Sequence, residues 1–524
     1  MTDKANGAQR KDTRNPENRP IWQPQRSQHG RPLKSDIQVD VCIVGAGIAG
    51  MTAAYLLARE GKRVAVLEKH RLGAGETGRT TAHLSNVLDA SYRHLERVHG
   101  AQGTRLAAES HAFAIDQIES IVRHERIDCA FERLDGYLFL APGDSRKTLR
   151  QEWEAAQRAG VQVEQLERPP FDLPLGPCLR FARQGQFDPS RYISGLTRAF
   201  ERMGGQLYTE TEATQIESKP RPKVTTQRKA AVTADTLIVA TNTPVNDWVK
   251  IHTKQAAYRS YAVALRVPAG SIPRALYWDT ENPFHYVRVH SSASAMGEKP
   301  QDMLIVGGED HKTGQEGPSN RRFERLARWA QANFQNIGEI EYQWSGQIME
   351  SMDGLAFIGR NPGENNVYIA TGDSGNGMTH GTIAGMLLRD AILGIKNRWA
   401  ALYDPSRKTV RATLTFVKEN ANVAAEYAQW LTPGEVSTAE EIGPGTGAIV
   451  RRGLSKVAVY RDGGGQIHEF SAVCPHLGCI VGWNPVEHTW DCPCHGSRFD
   501  CHGGVLNGPA LGPLEKVRTE TPTR

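Results

Sequence analysis

No apolar run in this 524-residue chain approaches the roughly 18 residues that a membrane-spanning helix needs. The amino terminus has no hydrophobic signal core and no twin-arginine pair ahead of one, so cytoplasm is the expected compartment. No internal repeat is visible, which argues against a repeat architecture. Cysteine is scarce along most of the chain: Cys42, Cys129 and Cys178 are scattered and are expected to be ordinary buried thiols. The other five cysteines crowd into the last 51 residues, which is metal-site usage and not a secreted disulfide framework. A strong charge of one sign is also lacking. The formal net charge is +5, and residues 1–35, with eight Lys/Arg against three Asp/Glu, carry all of it. That arm is rich in Pro, Asn, Gln and Arg and has no apolar periodicity, so it is expected to be disordered. No aromatic-interleaved basic patch follows it, so a solvated tail is expected, with no nucleic-acid partner.

The length calls for two or more domains. Residues 39–45, Val-Asp-Val-Cys-Ile-Val-Gly, predict a buried parallel strand running into a tight turn. Gly45, Gly47 and Gly50 then form G-x-G-x-x-G, followed by an Ala/Leu-rich helical pattern to Arg59 and a second strand from Arg63 to Leu67. Glu68 ends that strand, eighteen residues past Gly50. Each part suits a dinucleotide: one glycine for the turn, one for backbone approach to pyrophosphate, one for close helix–strand packing. The helix N-terminus then faces phosphate and the acid a ribose. Strand, turn, helix, strand and acid in register satisfy the context test that a lone glycine motif fails.

The segment Gly73-Ala-Gly75-Glu-Thr-Gly78-Arg79-Thr80-Thr81-Ala82-His83 resembles the flavin-proximal stretch of the D-amino-acid oxidase-like FAD family. Asp235–Thr241 resembles that family's internal strand. Asn366–Asp373 followed by Ser-Gly375-Asn-Gly377-Met378-Thr379-His380 resembles its closing strand, turn and helix, and Asp353–Arg360 the approach to it. The resemblance covers roughly 38–400 and implies bound FAD. It sets Gly45, Gly47, Gly50, Glu68, Thr80, Thr81 and His83 in the cofactor site, with Gly372, Asp373, Gly377, Met378 and Thr379 closing it. Asp373 is expected near the ribityl chain, and the positive helix end near Gly377–Thr379 favours an anionic reduced flavin. Covalent attachment through His83 does not fit the spacing, so FAD is expected to be noncovalent. No second G-x-G-x-x-G follows a strand with an acid or Arg downstream, which argues against a nicotinamide domain.

Between the FAD pieces, apolar alternation with glycine breaks over 255–310 predicts antiparallel strands, and the family resemblance implies that they belong to a substrate sheet at about 255–345 that roofs the flavin. Arg259, His285, Tyr286 and Arg288 are the pocket candidates there, an arginine being able to clamp a carboxylate in two places. The alternative is a polar strand face open to solvent.

The last fifty residues read Cys474-Pro-His476-Leu-Gly-Cys479 and Cys492-Pro-Cys494-His495-Gly496-Ser497, with 15 residues between His476 and Cys492. Two thiolates and two imidazoles are what a Rieske [2Fe–2S] cluster requires. A Cys2His2 zinc site takes the same ligand set, but the doubled pattern with two spare cysteines tells against it. The stretch 445–520 resembles the high-potential Rieske domain of cytochrome bc complexes. That resemblance implies Cys474, His476, Cys492 and His495 as ligands and Cys479–Cys494 as a disulfide. Ser497 falls where the family hydroxyl bonds a cluster sulfur. Phe499 stands where the highest-potential members have Tyr, so a potential midway in the Rieske range, roughly −150 to +300 mV, is expected.

The expected architecture is therefore an α/β Rossmann-like FAD domain with an antiparallel substrate sheet, followed by a small all-β Rieske domain. The boundaries read 1–35 for the arm, 36–430 for the flavoprotein domain, 431–446 for a Pro/Gly-rich linker and 447–524 for the Rieske domain. The chain resembles bacterial fusions of a glycine-oxidase-like or glutamylputrescine-oxidase-like flavoenzyme to a Rieske domain. A small amine or amino-acid-like electron donor and an external one-electron acceptor, protein or quinone, are the expected partners. A flavin/Rieske reductase feeding an oxygenase, a non-catalytic redox sensor and an oxidase with a structural Rieske domain are the alternatives.

Overall fold

The computed structural model describes residues 18–22, 29–170, 173, 175–243, 251–291, 300–315, 321–408, 422–423 and 426–517. The chain divides into two compact units. The larger comprises Pro20–Thr313 and Arg321–Val423; the smaller comprises Met1–Arg19, Gly314–Asn320 and Ala424–Arg524.

In the larger unit the strand predicted at 39–45 runs Ile37–Val44 and pairs in parallel with Ala231–Asn242 on one side and Val64–Leu67 on the other. Val367–Thr371 and Gln206–Tyr208 extend the parallel order outward. Both faces of the sheet are covered, which explains the near-continuous apolar reading of its strands. Val41 and Ile43 point into one core with Met51, Ala54 and Leu57, while Val39, Cys42 and Val44 point into another with Val232, Leu237 and Ile369. The predicted helix spans Ile48–Arg59 and packs on the helix Gly377–Leu393. A third helix, Pro189–Arg202, starts where expected of Asp-Pro: the Asp188 side chain accepts from Arg191 N at 3.0 Å and Pro189 fills the first turn.

The second sheet runs in the order Ile340–Ser351, Gln255–Pro268, Gln301–Lys312, Tyr286–Ser291, Leu276–Asp279, Glu132–Phe139, Cys178–Gln186, His83–Leu84, with Val163–Leu166 paired to Cys178–Gln186. The expectation of a sheet confined to about 255–345 is thus too narrow. Leu276–Asp279 pairs in parallel with Glu132–Phe139, and through it recruits strands from the front of the chain.

In the smaller unit, Thr446–Arg452, Ser455–Arg461 and Ile467–Ser471 form one antiparallel sheet. Gly482–Asn484, Thr489–Asp491, Arg498–Asp500 and Val505–Asn507 form another. Residues 431–446 are not a free linker. Val436 bridges Val450, Glu435 N donates to Ile449 O at 2.7 Å, and Ala439 and Ile442 are buried against Val450, Val457 and Val459. Their Pro and Gly residues shape turns within a packed wall. The run up to Trp430 reads as helical in sequence; it falls mostly outside the described residues, and Tyr427–Leu431 is a 3₁₀ turn.

The expectation of disorder over 1–35 fails for its described part. Trp22 is 3% exposed, and its Nε1 donates to Thr80 O at 2.6 Å. His29 bonds Ser194 Oγ at 2.9 Å, and buried Leu33 donates its N–H to Thr211 Oγ1 at 3.1 Å. Cys42, Cys129 and Cys178 are buried free thiols, as expected. Among the described residues no helix is long and apolar enough to cross a membrane.

Candidate functional site

The glycine turn is built as the motif requires. Gly45 leaves its strand at φ +104°, and a Cβ on Gly50 would lie 2.0 Å from the Gly45 carbonyl, so helix and strand approach where no side chain fits. Gly47 caps the helix, and its neighbour Ile48 donates its N–H to Thr77 Oγ1 at 3.0 Å. Glu68 is fixed at the strand end by two amides, Ala46 N and His70 N, each at 2.9 Å. Burial pushes the Glu68 pKa up, against the pull of those amides.

The segment after the second strand is laced to Ile340–Ser351. Gln347 N donates to Glu76 Oε2, Arg79 Nη1 donates to Ser345 O, and Trp344 Nε1 donates to Arg79 O, each at 2.7 Å. Thr80 Oγ1 accepts from Ala82 N at 3.0 Å. His83 bonds Thr81 Oγ1 at 3.1 Å through Nδ1 and Val287 O at 3.2 Å through Nε2. Burial, then the charge of Arg288, pushes its pKa down to about 3, so the ring is neutral, with Nε2 as the donor. Both nitrogens are engaged.

At the closing turn, Gly372 has φ +71° and leads through Asp373 to the helix at Gly377. His380 Nδ1 donates to Asp373 O at 2.7 Å, leaving its Nε2 to accept from His111 Nε2 at 3.2 Å. His111 Nδ1 in turn faces Thr379 Oγ1 at 2.8 Å. Burial lowers both imidazoles, His380 to about 4, so a neutral chain of hydrogen bonds fixes the first turn of the helix, where Met378 is also buried. Burial, followed by Glu76, raises Asp373 to about 7. Asp310, raised chiefly by burial to about 6, was not flagged in the sequence. A single Asp carries no sequence signal of its burial.

The four pocket candidates separate. Tyr286 hydroxyl lies 2.8 Å from Ser260 Oγ, and its ring meets His83 edge-on at 5.5 Å, beside the segment 73–83. Arg288 reaches the same segment as a backbone clamp: Nη1 donates to Ala82 O at 2.8 Å and Phe187 O at 3.0 Å. Arg259 is fully buried and bonds Ser345 Oγ. His285 stacks on Trp329 at 4.4 Å and bonds Asp279 Oδ2 at 2.9 Å. Asp279, Glu281 and His285 bring ligand atoms within 4.8 Å of one another, but both Asp279 oxygens already accept from His285.

In the smaller unit the two cysteine loops converge. Cys474 N donates to Cys479 O at 2.8 Å in the first; Cys492 N donates to Ser497 O at 2.8 Å in the second. The hydrogen bond between the two thiols lowers the pKa of Cys474 and raises that of Cys492. The His476 and His495 rings meet at right angles, 5.0 Å apart, and all four side chains are buried. Two thiols and two imidazoles on facing loops fit a [2Fe–2S] cluster. Cys479 and Cys494 are disulfide-bonded, and their sulfurs lie within 4.8 Å of that of Cys492. The Ser497 hydroxyl bonds Cys474 and accepts from Ala510 N at 3.0 Å, while Phe499 is fully buried and brings no hydroxyl. Beneath the loops Arg498 donates to Asp491 Oδ1 and Thr489 Oγ1, both at 3.0 Å, and to Glu487.

A family model described as FAD dependent oxidoreductase matches residues 40–391, and one described as Rieske [2Fe-2S] domain matches 432–518. The Rieske 2Fe-2S iron-sulfur protein YhfW of Bacillus subtilis (strain 168) is 33% identical over 488 residues, 93% of this chain and 94% of that protein. Gamma-glutamylputrescine oxidoreductase of Escherichia coli (strain K12) is 26% identical over 73% of this chain and 92% of its own length. The crystal structure of glycine oxidase from Geobacillus kaustophilus shares the fold, with a TM-score of 0.59 over 71% of this chain and 99% of that one, at 19% identity.

Proposed function

Because this chain belongs to the FAD dependent oxidoreductase family and ends in a Rieske [2Fe-2S] domain, we propose that it is a dehydrogenase. It oxidises a small amine or amino-acid-like donor and passes the electrons one at a time to an external acceptor, protein or quinone, in the cytoplasm. FAD supplies the two-electron chemistry and the cluster the one-electron chemistry. The observation that carries this reading is the presence of both redox modules in one chain, an arrangement that aligns with the B. subtilis relative over 94% of its length. Oxygen needs no iron–sulfur relay, so the fusion favours a dehydrogenase over an oxidase. The amine class rests on the relative named for gamma-glutamylputrescine, aligned over 92% of its length.

In this reading Gly45, Gly47, Gly50 and Glu68 hold the dinucleotide end of FAD. Thr80, Thr81, His83, Gly372, Asp373, Gly377, Met378 and Thr379 surround its flavin end. His83 stays a neutral, fixed wall, so FAD is held without a covalent bond. Tyr286 and Ser260 offer hydroxyls that orient the donor. Cys474, His476, Cys492 and His495 ligate the cluster.

Anaerobic titration with a panel of amines, amino acids, NADH and NADPH tests the scheme, following flavin absorbance and the cluster EPR signal together. An amine is expected to bleach the flavin and then raise the reduced-cluster signal. In His476→Ala the cluster signal and acceptor reduction should vanish while donor-driven bleaching persists. Reduction by NAD(P)H alone would instead establish the reductase alternative.

A further inference from the structure

Two short segments outside the Rieske match at 432–518 reach the ligand loops of the smaller unit. The first is the 3₁₀ turn Tyr427–Leu431. The Tyr427 hydroxyl donates to Leu477 O at 2.6 Å, and Trp430 Nε1 donates to Gly478 O at 3.1 Å. Those two carbonyls directly follow His476. The second segment is Gly314–Gln315. Gln315 Nε2 donates to Pro493 O at 3.2 Å, between Cys492 and Cys494. Gly314 lies flat on the same loop: a Cβ there would meet Pro493 N at 2.9 Å and Asp491 O at 3.0 Å. Each ligand loop is therefore gripped on its own backbone by a donor from outside the family domain.

We infer that Tyr427, Trp430 and Gln315 are positioning residues of the cluster, which set its reduction potential as well as holding its loops. The inference rests on Cys474, His476, Cys492 and His495 being the ligands. Reduction adds negative charge to a buried centre, and hydrogen bonds and solvent exposure around the ligands tune how well that charge is tolerated. A donor on a loop carbonyl offsets the negative end of a dipole close to the metal ligands and fixes the direction of the ligating side chains. Phe499 brings no hydroxyl to the loops, so the Tyr427 phenol supplies one from another part of the chain.

The test is a redox titration of the full-length holoprotein, monitored by EPR, in Tyr427→Phe, Trp430→Phe, Gln315→Ala and the Tyr427→Phe/Trp430→Phe double variant. Tyr427→Phe keeps the ring and removes only the donor. The cluster midpoint is expected to fall in each single variant and further in the double, with FAD content and the flavin midpoint unchanged. Single variants with full iron content and wild-type midpoint and EPR line shape would overturn the inference. Wild-type protein that holds iron but gives no Rieske EPR signal would instead overturn the ligand assignment itself.

Discussion

A carboxyl group taken out of water beside another acid keeps its proton, and Asp373 is in that position. Burial, then Glu76, push its pKa up to about 7. An unfolded Asp titrates at about 3.9. Its contribution to stability is therefore complete below about pH 4, declines as the pH rises, and is gone above about pH 7. Flavin-free protein should lose stability between about pH 4 and 7, by up to about 1.4 kcal/mol per pH unit for one such group. Asp373→Asn should flatten that slope in urea unfolding; an equal slope in the variant would refute the assignment. Gly45, Gly50 and the cysteine boxes were legible in the sequence, because a sharp turn or a metal dictates residue type and spacing locally. The proton on Asp373 was not, since it depends on burial in the fold and on Glu76, which is remote in sequence.

Among the elements, the strand Arg498–Asp500 anchors a buried ion-pair cluster in the smaller unit. Arg498, Glu487 and Asp491 are all at least 97% buried in one ion-pair cluster. Arg498→Met would leave two buried carboxylates facing each other without their cation, a loss of about 3–5 kcal/mol. The cluster absorbance should disappear at a lower temperature on heating, with FAD retention unaffected, and an unshifted transition would contradict the role given to Arg498. Strands whose apolar residues are contiguous were readable: the strand expected at 39–45 is Ile37–Val44, and the closing helix begins at Gly377 as read. The nine-stranded sheet was not. Its extent turns on the parallel pairing of Leu276–Asp279 with Glu132–Phe139, and local periodicity says nothing of a partner that far back.

For the whole molecule, the amino-terminal arm has a role that its composition concealed. Trp22 packs into the main core, and Arg288 lies over its ring at 5.2 Å. Trp22→Ala should cost about 3–5 kcal/mol, seen as a lower urea midpoint for flavin release. A midpoint equal to wild type would return the arm to a solvated tail. A single aromatic in a Pro- and Gln-rich stretch has no period to betray it, so the sequence reads as disordered.

The smaller unit draws on residues 18–19, 314–315 and 426–517, and no contiguous stretch of coding sequence shorter than 18–517 contains them all. A gene fragment opened at the family boundary, Thr432, would leave out Tyr427 and Trp430 from the first loop and Gln315 from the second. The iron–sulfur module is thus not a cassette to be cut out, transplanted or replaced by a homologous domain. Its blueprint is dispersed along the gene, so engineers who recombine such fusions must move Gly314–Gln315 together with the cysteine boxes.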